Sequence, residues 1–282
     1  MSRKALLPLA LVLAALGLAS CGGDDGATGE RAAADAPAGK TLTVATDATY
    51  PPNEFLAEDG RTIVGMSADL VNALAKEMGV RVKLVNATFD SILPGLAAGK
   101  YDVGFSSFTD TKEREKTVDF VNYYSAGTSF FVRTGDGPAI STLADLCGHT
   151  VAVSKGTVQA DDATAQAERC RATGRPPAKV LVLPDQPGAN LALASGRADV
   201  GMTDSPVAAY QVKQSGGRFK LVGEPYGTAP YGIAIPKGAG IAGDVKAALA
   251  ALMSDGTYQS ILRKWGVEVG AIEEPTINGA VD

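Results

Sequence analysis

The chain is poor in the residues that metal centres and nucleophilic sites draw on: one histidine, one tryptophan and three cysteines among 282 residues. A single histidine and no Cys-x-x-Cys pair leave no ligand set for zinc, and neither a metal nor another cofactor is expected. Basic clusters are missing from the body of the chain. Asp and Glu outnumber Lys and Arg by 31 to 26, for a formal net charge of −5, which argues against a nucleic-acid partner. No apolar run comfortably reaches across a bilayer, since the stretch Ala5 to Ala19 is too short. What remains is an ordinary globular composition, 45% hydrophobic and 20% charged, with length enough for two lobes that each bury a core.

The N-terminus reads as a targeting segment. Arg3 and Lys4 precede the apolar run, so residues 1–20 are expected to be a secretory signal peptide. Leu18-Ala-Ser-Cys21 closes the run and resembles a bacterial lipobox. That resemblance implies cleavage before Cys21 and attachment of lipid, palmitate included, at the new N-terminus. Gly22 to Lys40 has no apolar periodicity, and residues 21–40 are expected to form a flexible tether with a reach of about 25 Å. Cys147 and Cys170 are left over. In an exported chain they are expected to form a disulfide.

One segment is written twice. Leu96-Ala-Ala-Gly-Lys-Tyr-Asp-Val-Gly-Phe-Ser-Ser107 aligns without gaps on Leu193-Ala-Ser-Gly-Arg-Ala-Asp-Val-Gly-Met-Thr-Asp204. Each copy reads as a helix end, a Gly, a basic residue, an Asp and a short apolar strand. A repeated α/β unit predicts two similar lobes, and ligands of open α/β sheets bind beyond the C-terminal strand ends. The repeat therefore places hydroxyls (Ser106, Ser107) on one wall of a cleft and a carboxylate (Asp204) on the other.

Periodicity fills in both lobes. Strands are predicted at Leu42–Thr46, Val80–Leu84 and Val103–Phe105, with helices capped by Ser67 and Asp90 between them. The second lobe repeats the scheme with strands at Val151–Val153, Val180–Val182 and Val200–Met202, helices at Thr157–Arg171 and Ser205–Gln214, and between them a helix that ends over Asn190–Ser195. Strands alternating with helices imply parallel βαβ units. A strand at Tyr231–Ile235 and helices at Val245–Met253 and Thr257–Trp265 return to the first lobe. The expected division is 41–132 plus 228–282 for lobe 1 and 133–227 for lobe 2. The chain then crosses twice, which makes a hinge.

The chemistry gathers at the predicted strand ends. Ser106-Ser-Phe-Thr109 leads into a helix start carrying Arg114, whose guanidinium can fork onto a carboxylate. Asp204 can accept from an ammonium or merely cap the next helix. In Asp47-Ala-Thr-Tyr50-Pro-Pro-Asn-Glu54 the two prolines hold Tyr50 at the cleft. Thr157 and Gln159 open the helix after the matching turn of lobe 2, where backbone N–H groups favour an anion. Anion receptors facing a cation receptor match an α-amino acid zwitterion.

These residues resemble the solute-binding family 3 proteins, extracytoplasmic receptors of polar amino acid ABC transporters. The resemblance is carried by Ala45–Pro52, Phe89-Asp-Ser-Ile-Leu-Pro-Gly-Leu96, Ser106–Arg114, Val118-Asp-Phe120, Gly156–Gln159, Asp199–Asp204 and Asp255-Gly-Thr-Tyr258. It implies a two-lobe, type II periplasmic-binding-protein-like α/β fold with the cleft between lobes joined by a two-strand hinge. By the same resemblance, Arg114 with Ser107, Thr109 and Thr157 would take the α-carboxylate and Asp204 the α-ammonium. Tyr50 and Phe89 would sandwich the side chain, and Asp47, Asn53, Glu54 and Gln159 would line its far end. Three departures bear on side-chain preference: Asn53 where the family has an aromatic, Ser67 after Gly65-Met66 where it has an acid, and Asn122 before Tyr123-Tyr124 where it has a Pro.

The resemblance implies a lipoprotein on the outer face of the bacterial cell membrane, held there by its N-terminal lipid. Its partners would be a free polar amino acid, with a basic or amide side chain favoured by Asp47 and Glu54, and an ABC permease. The alternatives are an exported enzyme of the same fold, such as a cyclohexadienyl dehydratase, or a ligand-sensing module. An enzyme needs an acid or base aimed at its substrate; none stands out beyond the residues above, and no catalytic residue is assigned.

Overall fold

The computed structural model describes residues 39–281. The signal segment, Cys21 and nearly all of the tether lie outside them. The described chain contains eleven strands and eight α-helices. The first part runs β1 (Thr41–Thr46), β2 (Thr49–Tyr50), β3 (Glu54–Leu56), β4 (Ile63–Val64), α1 (Met66–Glu77), β5 (Arg81–Asn86), α2 (Phe89–Ala97), β6 (Val103–Thr109) and α3 (Lys112–Glu115). A long strand, β7 (Val118–Arg133), leads into β8 (Thr150–Ser154), α4 (Val158–Ala172), β9 (Lys179–Leu183), α5 (Gln186–Ala194), β10 (Val200–Asp204) and α6 (Ser205–Gln214). A second long strand, β11 (Phe219–Pro236), returns to α7 (Ala242–Ser254) and α8 (Thr257–Trp265).

Eight of these eleven strands form one sheet, in which two groups of three mirror one another through the long pair. The main sheet has the order β5-β1-β6-β11-β7-β10-β8-β9. At one end β1 pairs parallel with β5 and β6; at the other, β8 pairs parallel with β9 and β10. Between them β11 and β7 run antiparallel to each other and along both groups, with register shifts between Val222 and Ala229. The remaining strands, β2-β3-β4, form a small antiparallel sheet.

The written repeat is a structural repeat. Asp102 accepts from the Thr43 N–H at 2.8 Å, and Asp199 accepts from the Thr150 N–H at 2.8 Å, so each ties its own strand's start to the first strand of its group. Gly99 and Gly196 end the preceding helices at φ 69° and 75°, the left-handed conformation that glycine adopts without a Cβ clash.

Each group has its own core on both faces of the sheet. In the first, Leu70, Leu74, Phe105, Tyr123, Ile233, Leu249 and Leu262 pack under α1, α7 and α8, while Ile92, Leu96, Phe108 and Phe120 pack under α2. In the second, Phe130, Val132, Val151, Ala163 and Met202 face α4, while Phe131, Leu193 and Ala208 face the other way. Phe130, Phe131 and Val132 alternate between faces as strand geometry requires. These cores and the paired long strands are the two-lobe α/β architecture, joined by a two-strand hinge. The second lobe is stapled by a disulfide between Cys147 and Cys170, tying the segment before β8 to α4.

Local details differ from the sequence reading. Helix α1 starts at Met66 with Gly65 as its cap residue, and α2 is preceded by Thr88. Neither Ser67 nor Asp90 caps: the Ser67 hydroxyl donates to Glu54, and Asp90 pairs with Lys155. The pattern did not expose the full length of β7, because it is buried on both faces and shows no polar alternation. Among the described residues, no helix is long and apolar enough to cross a membrane.

Candidate functional site

A pocket lies where the C-terminal ends of β1, β6, β8 and β10 converge. Eleven residues singled out in the sequence line it. Asp47, Tyr50 and Glu54 come from the turn after β1, Phe89 from the start of α2, and Ser106, Ser107, Thr109 and Arg114 from the end of β6 and α3. Thr157, Gln159 and Asp204 come from the second lobe. Asn53, placed at the far end by the resemblance, is instead fully buried behind the wall and donates to the Ser107 Oγ at 2.9 Å.

Thr49, Ser154, Val158 and Gln186 also line the pocket. The strand-end rule that drew attention to Ser106 and Asp204 holds for them as well: Ser154 ends β8, and Gln186 begins the helix after β9. Applied to every strand rather than to the repeat alone, the rule finds them.

The first wall is built for negative charge. Arg114 is half-buried; its Nη1 donates to the Thr109 carbonyl at 2.7 Å and its Nη2 to the Gly156 carbonyl at 2.9 Å. These bonds fix the guanidinium plane and leave further N–H donors for an anion. The guanidinium also stands 5.5 Å from the centre of the Phe89 ring, which stacks on Phe108 at 4.7 Å. Burial lowers the Arg114 pKa, and Asp204, Asp161 and Asp110 act against that, so the side chain stays charged. Ser107 holds φ 50°, a left-handed conformation uncommon outside glycine and frequent at ligand sites.

Three carboxyl groups also line the pocket, Asp204 from the second lobe and Asp47 and Glu54 from the first. Asp204 makes no side-chain cap bond to the helix that follows it. Its Oδ2 accepts from the Tyr50 hydroxyl at 2.7 Å and its Oδ1 from Gln159 Nε2 at 2.8 Å. Burial raises its pKa, while Tyr50, Gln159 and the Arg114 charge work to hold it down. Asp47 accepts from the Thr49 hydroxyl and the Phe89 N–H. Glu54 is 1% exposed; its Oε2 accepts from Ser67 Oγ at 2.6 Å and Ser107 Oγ at 3.2 Å, and its Oε1 has no partner among the described residues.

Three sets of bonds cross the cleft. Tyr50 Oη reaches Asp204 and, at 2.6 Å, the Thr203 hydroxyl. Arg114 reaches Gly156. At the rim, Lys155 Nζ sits 2.8 Å from Asp90 Oδ2.

Comparison with known proteins gives this geometry its setting. The family of bacterial extracellular solute-binding proteins, family 3, matches residues 42–268. The arginine-binding protein ArgT of Corynebacterium glutamicum is 37% identical over 238 residues, which are 84% of this chain and 78% of that protein. A solved ancestral arginine-binding protein bound to arginine superposes with a TM-score of 0.74 at 37% identity, over 81% of this chain and 99% of the other. An ancestral amino acid-binding protein, AncCDT-1, described as a precursor of cyclohexadienyl dehydratase, superposes with a TM-score of 0.69 at 37% identity, over 80% of this chain and 95% of the other.

Proposed function

The chain belongs to the bacterial extracellular solute-binding proteins of family 3, and we propose that it captures a free amino acid with a cationic side chain, arginine first, for an ABC permease. One observation carries the choice of side chain. The pocket is lined by three carboxyl groups, Asp47, Glu54 and Asp204, against one guanidinium, Arg114. A zwitterion matches Arg114 with its carboxylate and Asp204 with its ammonium. Two acids are left over at the side-chain end, and a cation there satisfies them. The names of similar proteins, arginine-binding among them, point the same way.

In this reading Arg114, Ser107, Thr109 and the N-terminus of α4 at Thr157 grip the α-carboxylate. Tyr50 and Phe89 flank the aliphatic stem, Ser106 positions the Asp47 turn through its bond to the Asp47 N–H, and Gln159 orients Asp204. Closure removes water and strengthens each charged contact. We place lobe 1 at 41 to about 127 plus 228–282 and lobe 2 between them, because Phe130 and Val132 already pack in the second core. The N-terminal features complete the proposal: a signal peptide over 1–20, and lipid on Cys21 holding the receptor at the outer face of the membrane. Replacing Cys21 with Ser should release the protein into the medium with its affinity unchanged; continued membrane attachment overturns the lipid anchor.

The test of the ligand is a thermal-shift screen of the purified protein against the common amino acids, followed by calorimetry. A ligand that binds only the folded state raises the melting temperature by mass action. Arginine or lysine should give the largest shift. A larger shift with glutamine or asparagine would reassign the side-chain end to amides. An enzymatic reading draws on one feature, the buried Glu54 acid, which has the character of a general acid. Mass spectrometry of bound ligand after long incubation separates the two: unaltered amino acid supports the receptor, a dehydrated product the enzyme.

A further inference from the structure

Glu54 occupies a setting in which a carboxylate is hard to keep. The group is buried, only two serine hydroxyls reach it, and both bond the same oxygen. The N-terminus of α1 lies close by, but its Met66 and Ser67 N–H groups are taken by the Pro52 and Asn53 carbonyls. The one cation lining the pocket, Arg114, is held on Thr109 and Gly156. The other titratable groups that face Glu54 are Asp47 and Asp204, both acidic, and the buried Tyr123 hydroxyl. A buried charge without a counter-charge is costly, and such a group takes a proton instead.

We propose that Glu54 is a neutral carboxylic acid before capture and surrenders its proton when a cationic side chain docks beside it. The Glu54 O–H bond breaks, the proton passes to solvent base, and the carboxylate left behind pairs with the guanidinium or ammonium of the ligand. Capture of a basic amino acid is thereby coupled to proton release, and the proton competes with the ligand for one site. The inference rests on the reading of the pocket as a basic-amino-acid site. Burial, reinforced by Asp47 and Asp204, pushes the Glu54 pKa up to about 8, so the acid form predominates at pH 7 in support of the geometric argument.

Calorimetric titration of the purified protein with arginine at pH 7, in phosphate and in Tris, measures the effect, because the two buffers take up protons with different heats. The expected difference corresponds to about one proton released per arginine bound. Affinity should fall by up to about tenfold per pH unit on going acid of pH 7. Glu54→Gln should abolish the release and flatten the pH profile. Identical apparent enthalpies in the two buffers overturn proton coupling and leave the basic-amino-acid reading standing. Release that persists in Glu54→Gln overturns the assignment to this residue. If neither arginine nor lysine binds at any pH, both readings fall together. The two-buffer titration of the unmodified protein decides the matter even if the variant does not fold.

Discussion

Arg114 shows how one side chain can be held rigid enough for the role proposed for it, gripping a carboxylate. Its guanidinium is pinned by carbonyls from both lobes and backed by the Phe89 and Phe108 rings, so little side-chain freedom remains to be lost on binding. Arg114→Ala is expected to weaken amino acid binding by about 100-fold or more, since a desolvated carboxylate loses its counter-charge. Arg114→Lys should recover only part of that, because an ammonium cannot span Thr109 and Gly156 and fork onto the ligand together. Titration calorimetry of both variants checks this, and near-normal affinity in the alanine variant would remove Arg114 from the binding site. The sequence made Arg114 and Asp204 legible because each follows a strand end marked by the repeat. It did not make Glu54's partners legible: Ser67 read as a helix cap, and only the packing of α1 against the turn turns its hydroxyl toward the carboxyl.

Among the elements, the turn between β1 and α1 matters most to the pocket, since it carries Asp47, Tyr50 and Glu54. Gly65 is the point where α1 meets that turn. It holds φ 127°, and a Cβ there would lie 2.2 Å from the Asn53 carbonyl oxygen. Gly65→Ala should therefore cost about 3 kcal/mol through strain and displaced backbone and weaken ligand binding as well, measured by urea denaturation and calorimetry on the same sample. The disulfide gives the contrasting case. It closes a segment with a sequence separation of 23, well away from the pocket, and restricts the unfolded chain. The double variant Cys147→Ser, Cys170→Ser should lose about 3 kcal/mol of stability with ligand affinity unchanged. Loss of affinity without loss of stability would contradict that separation of roles. The parallel units were readable in the chain because each alternates a short apolar strand with an amphipathic helix. The hinge strands were readable only in part: Tyr231–Ile235 shows as a strand, but β7 is buried on both faces and carries no period, and the start of β11 is largely exposed and runs through Gly223, Pro225, Gly227 and Pro230.

For the whole molecule, the acids divide into two populations with opposite pH behaviour. Glu54 at about 8 and Asp110 at about 6 hold their protons more tightly folded than unfolded, mainly through burial. Their contribution to stability is present at low pH and is lost as pH rises from their unfolded pKa through those values. Asp90 and Asp119 are lowered by hydrogen bonds to Lys155 and Lys237; their contribution is present above the usual carboxylate range and is lost only on stronger acidification. Without ligand, the melting temperature should fall by several degrees between pH 5.5 and pH 8, and Glu54→Gln should remove much of that slope; a melting temperature that rises over this interval would contradict the assignment. The Lys155–Asp90 pair has a different consequence. It joins the lobes at the rim and does not line the pocket, so altering it changes how readily the cleft shuts without changing what the interior prefers. The concentration at which the receptor fills and the identity of the nutrient it chooses are therefore separable traits. Selection can adjust the first to a richer or leaner habitat by single changes at the lip while the second stays fixed.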